Sequence, residues 1–253
     1  MNIKARLEEV RSEYLYRMTR GDGELLCRVE HYITAHEGKM LRPKMVLHAA
    51  ATLGDEVFLS RRTLLAAVCV EMLHNVSLLH DDVIDKADQR RGRPSVNTQW
   101  NNAVAVLVGD YCLAQIMQLL EEIDDRELSR RVNATVQAMV EAELMAQEVE
   151  SRRSEVGGRK SEVGGRKSEV GGTSDLLPQT SYLRIVDGKT ASLFGLAAYC
   201  GNPACEEYGL HYGRLFQLRD DIADGEAPSF AAELIRQEEE TLRAIKPQLP
   251  ELI

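Results

Sequence analysis

Residues 78–94 read LLHDDVIDKADQRRGRP: two adjacent acids, a third acid three residues on, then a dense basic cluster. On a helix Asp81 and Asp85 stand at i and i+4, so their carboxylates project from nearly the same angle with Asp82 beside them. Three acids crowded on one face repel one another. A divalent cation between them relieves that repulsion, and hard oxygen donors of this kind suit Mg2+ bridging to a phosphate. The stretch therefore asks for a metal and an anion together. A solvated acidic turn would carry the same letters, but the preceding run VEMLHNVSLL is too apolar for a solvated face. The acids are expected at the end of a buried helix.

The composition around this stretch supports a sizeable core, with 44% hydrophobic residues in 253. A net charge of −9 argues against general nucleic-acid binding, because phosphate-backbone affinity needs a dominant basic face. Any anion site must then be a local basic pocket. Five cysteines, Cys27, Cys69, Cys112, Cys200 and Cys205, form no C-x-x-C pair. Cys69 and Cys112 lie in apolar runs, so the set reads as small core residues in a reducing compartment. The N-terminal MNIKARLEEVRSEYLYRM is charged throughout, and no window holds the roughly 18 uninterrupted apolar residues of a membrane span. A cytoplasmic protein is expected.

Apolar residues recur at helical spacing over 2–19 and 23–35. The string EGKMLRPKMVLHAA follows, where Gly38 loosens the backbone, Pro43 suits a first helical turn, and Lys39 and Arg42 place two cations beside a helix start. A phosphate grip and an ordinary solvated helix entrance both fit that string. A long apolar helix is expected over 61–85 with a cap near Ser60, carrying His74 two turns before Asp81 on the same face. A lone histidine there is commonly a hydrogen-bonded core residue. Helices are expected again over 97–120 and 124–150. In the second, Glu141, Glu143 and Gln147 fit either a polar site or a surface stripe. From Ser154 to Gly172 the pentapeptide SEVGG occurs three times with period seven. Paired glycines are costly in a helix, so an inter-helix loop is expected there, and the lack of a G-K-[ST] tail separates it from a P-loop.

Helical spacing resumes in SYLRIVDGKTASLFGLAAYC, with Lys189 and Thr190 at the irregularity that Gly188 introduces. A further helix, CEEYGLHYGRLFQLRDDIAD, closes on a second acidic triplet, Asp220, Asp221 and Asp224, spaced as the first. One D-D-x-x-D is weak. Two, each ending an apolar or amphipathic helix and about 140 residues apart, could face each other across a helical bundle and hold several metal ions.

These residues resemble the trans-isoprenyl (polyprenyl) diphosphate synthases. LLHDDVIDKADQRRGRP is similar to the family's first aspartate-rich motif with its trailing arginines, and FQLRDDIAD to the second. GKMLRP resembles the basic motif that grips the homoallylic diphosphate, and DGKTASLF the intervening lysine–threonine motif. The four occur in the family's order between about residues 36 and 225. The resemblance implies an all-α, single-domain, isoprenoid-synthase-type bundle over 1–253 with a central cavity, and a homodimer joined through an apolar face around 97–120.

It also implies roles. Asp81, Asp85 and Asp220 would coordinate Mg2+, with Asp82, Asp221 and Asp224 as direct or water-mediated partners, several ions bridging the diphosphate of an allylic substrate, farnesyl or shorter. Arg90, Lys189 and Gln217 would hold that diphosphate. Isopentenyl diphosphate would be gripped by Gly38, Lys39, Arg42, His74 and Arg91, and Thr190 and Phe216 would line the reacting centre. Val76 and Ser77 lie one turn below Asp81. Neither is aromatic, which leaves a channel open towards Leu73 and Cys69 and implies a product longer than fifteen carbons.

Two departures stand out. Glu37 occupies a position that is usually glycine in the first basic motif. After the second motif, where relatives continue with a lysine-bearing loop and further helices, GEAPSFAAELIRQEEETLRAIKPQLPELI follows and no residue matches that lysine. Two other readings compete with an elongating synthase. A non-catalytic partner subunit would be expected to have lost metal ligands, whereas all six aspartates are present. A terpene cyclase would be expected to line its cavity with aromatics, which make up 5% of this chain.

Overall fold

The computed structural model describes residues 1–35, 38–161, 178–247 and 249. Glu37 and the SEVGG repeats beyond residue 161 lie outside the described residues. The chain divides into two compact units: Met1–Ser129 with Ala197–Pro203 and Leu249–Ile253, and Arg130–Leu196 with Ala204–Gln248.

The first unit opens with α1 (Ile3–Met18), α2 (Glu24–Thr34), α3 (Leu41–Ala51) and the short α4 (Asp55–Leu59). Its central element is α5 (Arg61–Ile84), which begins where the Ser60 side chain accepts the Thr63 N–H, the expected cap. From Thr63 to Leu73 every residue of α5 is buried. Such a helix is apolar all round and is stable only as a core helix; α1, α3 and a later helix, α7, pack around it. Its last turn brings Asp81 and Asp85 to the edge of this core, while Asp82 stays buried.

The basic stretch that follows α5 is not helical. Gln89–Arg90 (β1) and Arg93–Pro94 (β2) pair antiparallel, joined by Arg91 and Gly92 at φ +52° and +74°. Two consecutive residues at positive φ make the type I′ turn of a two-residue hairpin. The single helix expected over 97–120 is instead two: α6 (Val96–Gln99), then a break at Trp100, then α7 (Asn102–Ile123), restarted where Asn101 accepts the Val104 N–H. By length and composition α5 and α7 are the two helices, among the described residues, apolar enough to cross a membrane; most of α5 is buried.

Helix α8 (Arg126–Ser161) crosses from the first unit into the second and runs further than its sequence suggests. The loop expected from Ser154 is corrected as far as Ser161, because the helix continues through the first glycine pair. Extending a formed helix costs one residue at a time, so two glycines at about 1 kcal/mol each do not stop it. The second unit continues with α9 (Gln179–Val186), a π-turn (Asp187–Ala191) and the start of α10 (Ser192–Gly201), whose residues from Ala197 belong to the first unit, then α11 (Glu206–Asp224) and α12 (Ala231–Ala244). Tyr182, Val186, Leu218, Ala231 and Leu234 form a core joining α9, α11 and α12, with the Tyr182 and Phe230 rings edge to face at 5.6 Å.

One carboxylate ties three helix ends of the first unit together. Asp125 Oδ1 accepts the backbone N–H groups of Glu127 and Leu128 at the start of α8, and its Oδ2 accepts from Arg62, whose Nη1 donates to the Cys200 carbonyl. The Leu128 N–H, then Arg62, hold the Asp125 carboxyl below the usual aspartate range against the opposing effect of burial. A carboxyl with a depressed folded pKa contributes stability above its unfolded pKa and loses it as pH falls through the folded value. Asp125→Ala is expected to lower unfolding free energy by about 1–2 kcal/mol at neutral pH. In urea titrations that difference should hold down to about pH 5 and shrink below about pH 4.

Candidate active site

In the first unit the acids sit where electrostatics disfavours them. Asp81 and Asp82 occupy the last turn of α5 and Asp85 caps it, with no basic residue in that turn. The C-terminal end of a helix is its negative pole, so carboxylates there cost stability and attract cations. Asp82 is buried and paired with Arg90, whose Nε donates to Oδ1 at 2.9 Å and whose Nη2 makes a second, shorter bond. The hairpin brings the arginine back over eight residues to reach it. Its geometry is held from α2: the Arg93 guanidinium lies 4.0 Å over the Tyr32 ring, and the Tyr32 hydroxyl donates to the Pro94 carbonyl at 2.6 Å. An open cleft is lined by Tyr32, Asn75, Asp82, Arg90, Arg91 and Arg93.

The first basic motif meets the same hairpin. A Cβ on Gly38 would stand 2.8 Å from Arg91 Nη2, so glycine is what lets the guanidinium approach the backbone there. Gly38, Arg91, Tyr14 and Glu71 line a second cleft. Burial lowers Arg42 to about 10, and nearby Glu71 opposes the shift, so Arg42 stays cationic at neutral pH. Burial raises Glu71 above the usual carboxylate range while the fields of Arg42 and Arg91 pull it down. His74 lies well below the usual imidazole range, first through burial and then through Arg42, Arg91 and Arg90. It is therefore a neutral imidazole among cations, able to donate one hydrogen bond without adding charge. Lys39 is exposed before α3, beside Met40 at φ +52°.

Below the aspartates, Leu73, Val76 and Cys69 are buried, and the Ser77 hydroxyl donates to the His74 carbonyl at 2.9 Å. Leu73, Val76 and Ser77, on α5 beneath Asp81, thus carry no aromatic ring.

In the second unit the lysine–threonine motif forms the π-turn, an irregularity often found at functional sites. Thr190 Oγ1 donates to Gln217 Oε1 at 2.7 Å, Gln217 Nε2 donates to Asp221 Oδ1 at 2.7 Å, and the Tyr182 hydroxyl donates to Asp221 Oδ2. Lys189 Nζ pairs with Glu143 of α8 at 2.7 Å. Phe216 rests on the buried Phe194 ring at 5.4 Å. Asp220 and Asp224 are exposed on the last turn of α11, again without a basic residue in that turn.

The structure thus joins Asp82 to Arg90, Gly38 to Arg91, and Thr190 to Gln217 and Asp221. Among the described residues no three metal-ligating side chains are gathered into a ready-made cage. Residues that sequence reasoning did not single out also appear: Tyr32, Glu71, Arg93 and Tyr182. Only Tyr182 had a local signal, as an aromatic one turn before the DGKT string; the others become visible through contacts distant in sequence.

The family profile described as polyprenyl synthetase matches residues 23–230. This chain belongs to the polyprenyl synthetase family. It is 34% identical over 209 residues to the all-trans-nonaprenyl-diphosphate synthase (geranyl-diphosphate specific) of Rhodobacter capsulatus, covering 79% of this chain and 57% of that protein. The crystal structure of a decaprenyl diphosphate synthase from Rhodobacter capsulatus superposes with a TM-score of 0.71 at 29% identity, over 88% of this chain and 64% of that one. That of a polyprenyl synthase from Caulobacter crescentus, complexed with calcium and isoprenyl diphosphate, gives 0.72 at 25% identity, over 90% and 67%. The all-α fold is that of the family. The chain spans 57–66% of the length of the first curated relatives it matches.

Asp224 is exposed at the negative pole of α11, so Asp224→Asn should raise the unfolding free energy by about 0.5 kcal/mol in chelator, read from a urea midpoint. Added Mg2+ with diphosphate should stabilise the unaltered chain more than the variant.

Proposed function

We propose that the protein condenses isopentenyl diphosphate head to tail with an allylic diphosphate, farnesyl or shorter, giving a trans-polyprenyl diphosphate longer than fifteen carbons. The observation that carries this reading is the pairing of Asp82 with Arg90 at a cleft that also holds Arg91. A metal-type carboxylate and phosphate-type cations share one place. The six aspartates offer only carboxylate oxygens, a donor set that fits a hard cation. Mg2+ is a hard cation of this kind, bound through one or two carboxylates per ion plus substrate phosphates. Asp81, Asp85 and Asp220, with Asp82, Asp221 and Asp224, would hold it. When bound, the metal neutralises charge on the leaving diphosphate.

Arg90, Lys189 and Gln217 grip the allylic diphosphate. As the allylic C–O bond breaks, its electron pair stays on the diphosphate oxygen, and cations fixed there beforehand lower the barrier. The double bond of isopentenyl diphosphate then attacks the allylic carbon, and a proton leaves the new cation, with the released diphosphate as acceptor. Gly38, Lys39, Arg42, His74 and Arg91 hold the isopentenyl diphosphate. A neutral His74 donates to it without raising the positive charge near the reacting carbons. Thr190, fixed by Gln217, and Phe216 border the reacting centre. The ring-free wall formed by Leu73, Val76 and Ser77 supports long products, in keeping with the nonaprenyl and octaprenyl names of relatives.

A homodimer is supported by α7, which leaves Val106, Leu107 and Met117 39%, 66% and 65% exposed. A cytoplasmic setting suits five cysteines that all remain free thiols.

Purified protein incubated with Mg2+, isopentenyl diphosphate and farnesyl diphosphate should yield products longer than fifteen carbons, resolved by chain length. Asp81→Ala should lower kcat by about 100-fold or more. Gly38→Ala, which pushes on Arg91, should raise KM for isopentenyl diphosphate about tenfold and change kcat little. Absence of elongation from farnesyl and every shorter primer would sink the proposal in favour of a non-catalytic subunit.

A further inference from the structure

A charge cluster around the buried Glu238 in the second unit reaches beyond the motifs discussed so far. Arg214 on α11 forks onto Asp187, the first residue of the π-turn, with Nε donating to Oδ1 at 2.5 Å and Nη2 to Oδ2 at 3.0 Å. Its Nη1 lies 3.6 Å from Glu238 on α12. Glu238 is itself 7% exposed, and its other oxygen is 2.5 Å from His211 Nδ1. Burying a carboxylate costs several kcal/mol unless it is matched, and here Arg214 and His211 match it. Helix α12 begins just beyond the family match, which ends at residue 230, so Glu238 belongs to no recognised motif.

The geometry shows what the cluster holds. His211, Arg214, Gln217 and Asp221 follow one another on α11 at steps of three or four residues and form a stripe on one face. Arg214 pins Asp187, and Gln217 pins Thr190. The π-turn is thus fastened to α11 on both sides of Lys189, which is left to project to Glu143 of α8. A planar guanidinium with two parallel bonds fixes orientation where a lysine would fix only charge.

We propose that Arg214, braced by Glu238 and His211, is a positioning residue that sets the direction of Lys189 and thereby the affinity for the allylic diphosphate. The inference rests on the reading of Lys189 as a diphosphate ligand. Loss of such a supporting partner typically costs tenfold or more at the group it orients.

The test measures binding of farnesyl diphosphate with Mg2+ and without isopentenyl diphosphate, by calorimetry, on the full chain. Arg214→Lys and Glu238→Gln should each weaken binding about tenfold with unfolding midpoints close to the unaltered chain. Made together with Lys189→Ala, each should cause no further loss, because the group they orient is gone. A merely structural role would give the same loss with or without Lys189. Unchanged affinity in both variants, or equal losses in the two backgrounds, would overturn the proposal. Should Arg214→Lys fail to fold, Glu238→Gln, which keeps the size of the side chain, carries the same comparison. No binding by the unaltered chain, or none of it lost in Lys189→Ala alone, would count against the functional reading instead.

Discussion

Repulsion among carboxylates at the negative pole of a helix is the constraint on which this protein turns. Carboxylates gather there twice, at the ends of α5 and α11, and neither last turn contains a basic residue. A protein selected for stability alone would place lysine or arginine there. Asp82 is restrained by Arg90, and Asp221 by Gln217 and Tyr182. Those neighbours are the same residue types that bind phosphate oxygens.

A helix end that gathers like charges needs rigid support. Helix α5 supplies it by being buried over most of its length, so its last turn is anchored by a packed interior and its charges cannot drift apart. The type I′ turn at Arg91 and Gly92 returns the chain within two residues, and the Tyr32–Arg93 stack keeps the hairpin from swinging away. On α11 a stripe of polar side chains does the equivalent task for the π-turn. Order at both places comes from neighbouring helices and little from the local backbone.

The acidic and basic motifs were legible because their chemistry is dense within a few residues. D-D-x-x-D on a helix fixes a shared face through the 3.6-residue period alone, and Ser60 before Arg61 marks the helix start by its side chain. The partners of those motifs were not legible. Arg214 and Asp187 are 27 residues apart, and Glu238 is a further 24 from Arg214; no local periodicity links them. The loop expected from Ser154 failed because glycine propensity is a small penalty, and the helix before it was already formed. The helix expected over 97–120 failed at Trp100, where the Asn101 cap competes with continuation.

By itself the sequence determined the all-helical class and the family, because helical period and motif spacing are short-range properties. Only the tertiary structure decided that Arg90 folds back onto Asp82, that His74 is held neutral, and that Lys189 is flanked by two pinned residues. Burial and the fields of distant charges produce these, and both depend on which helices pack together.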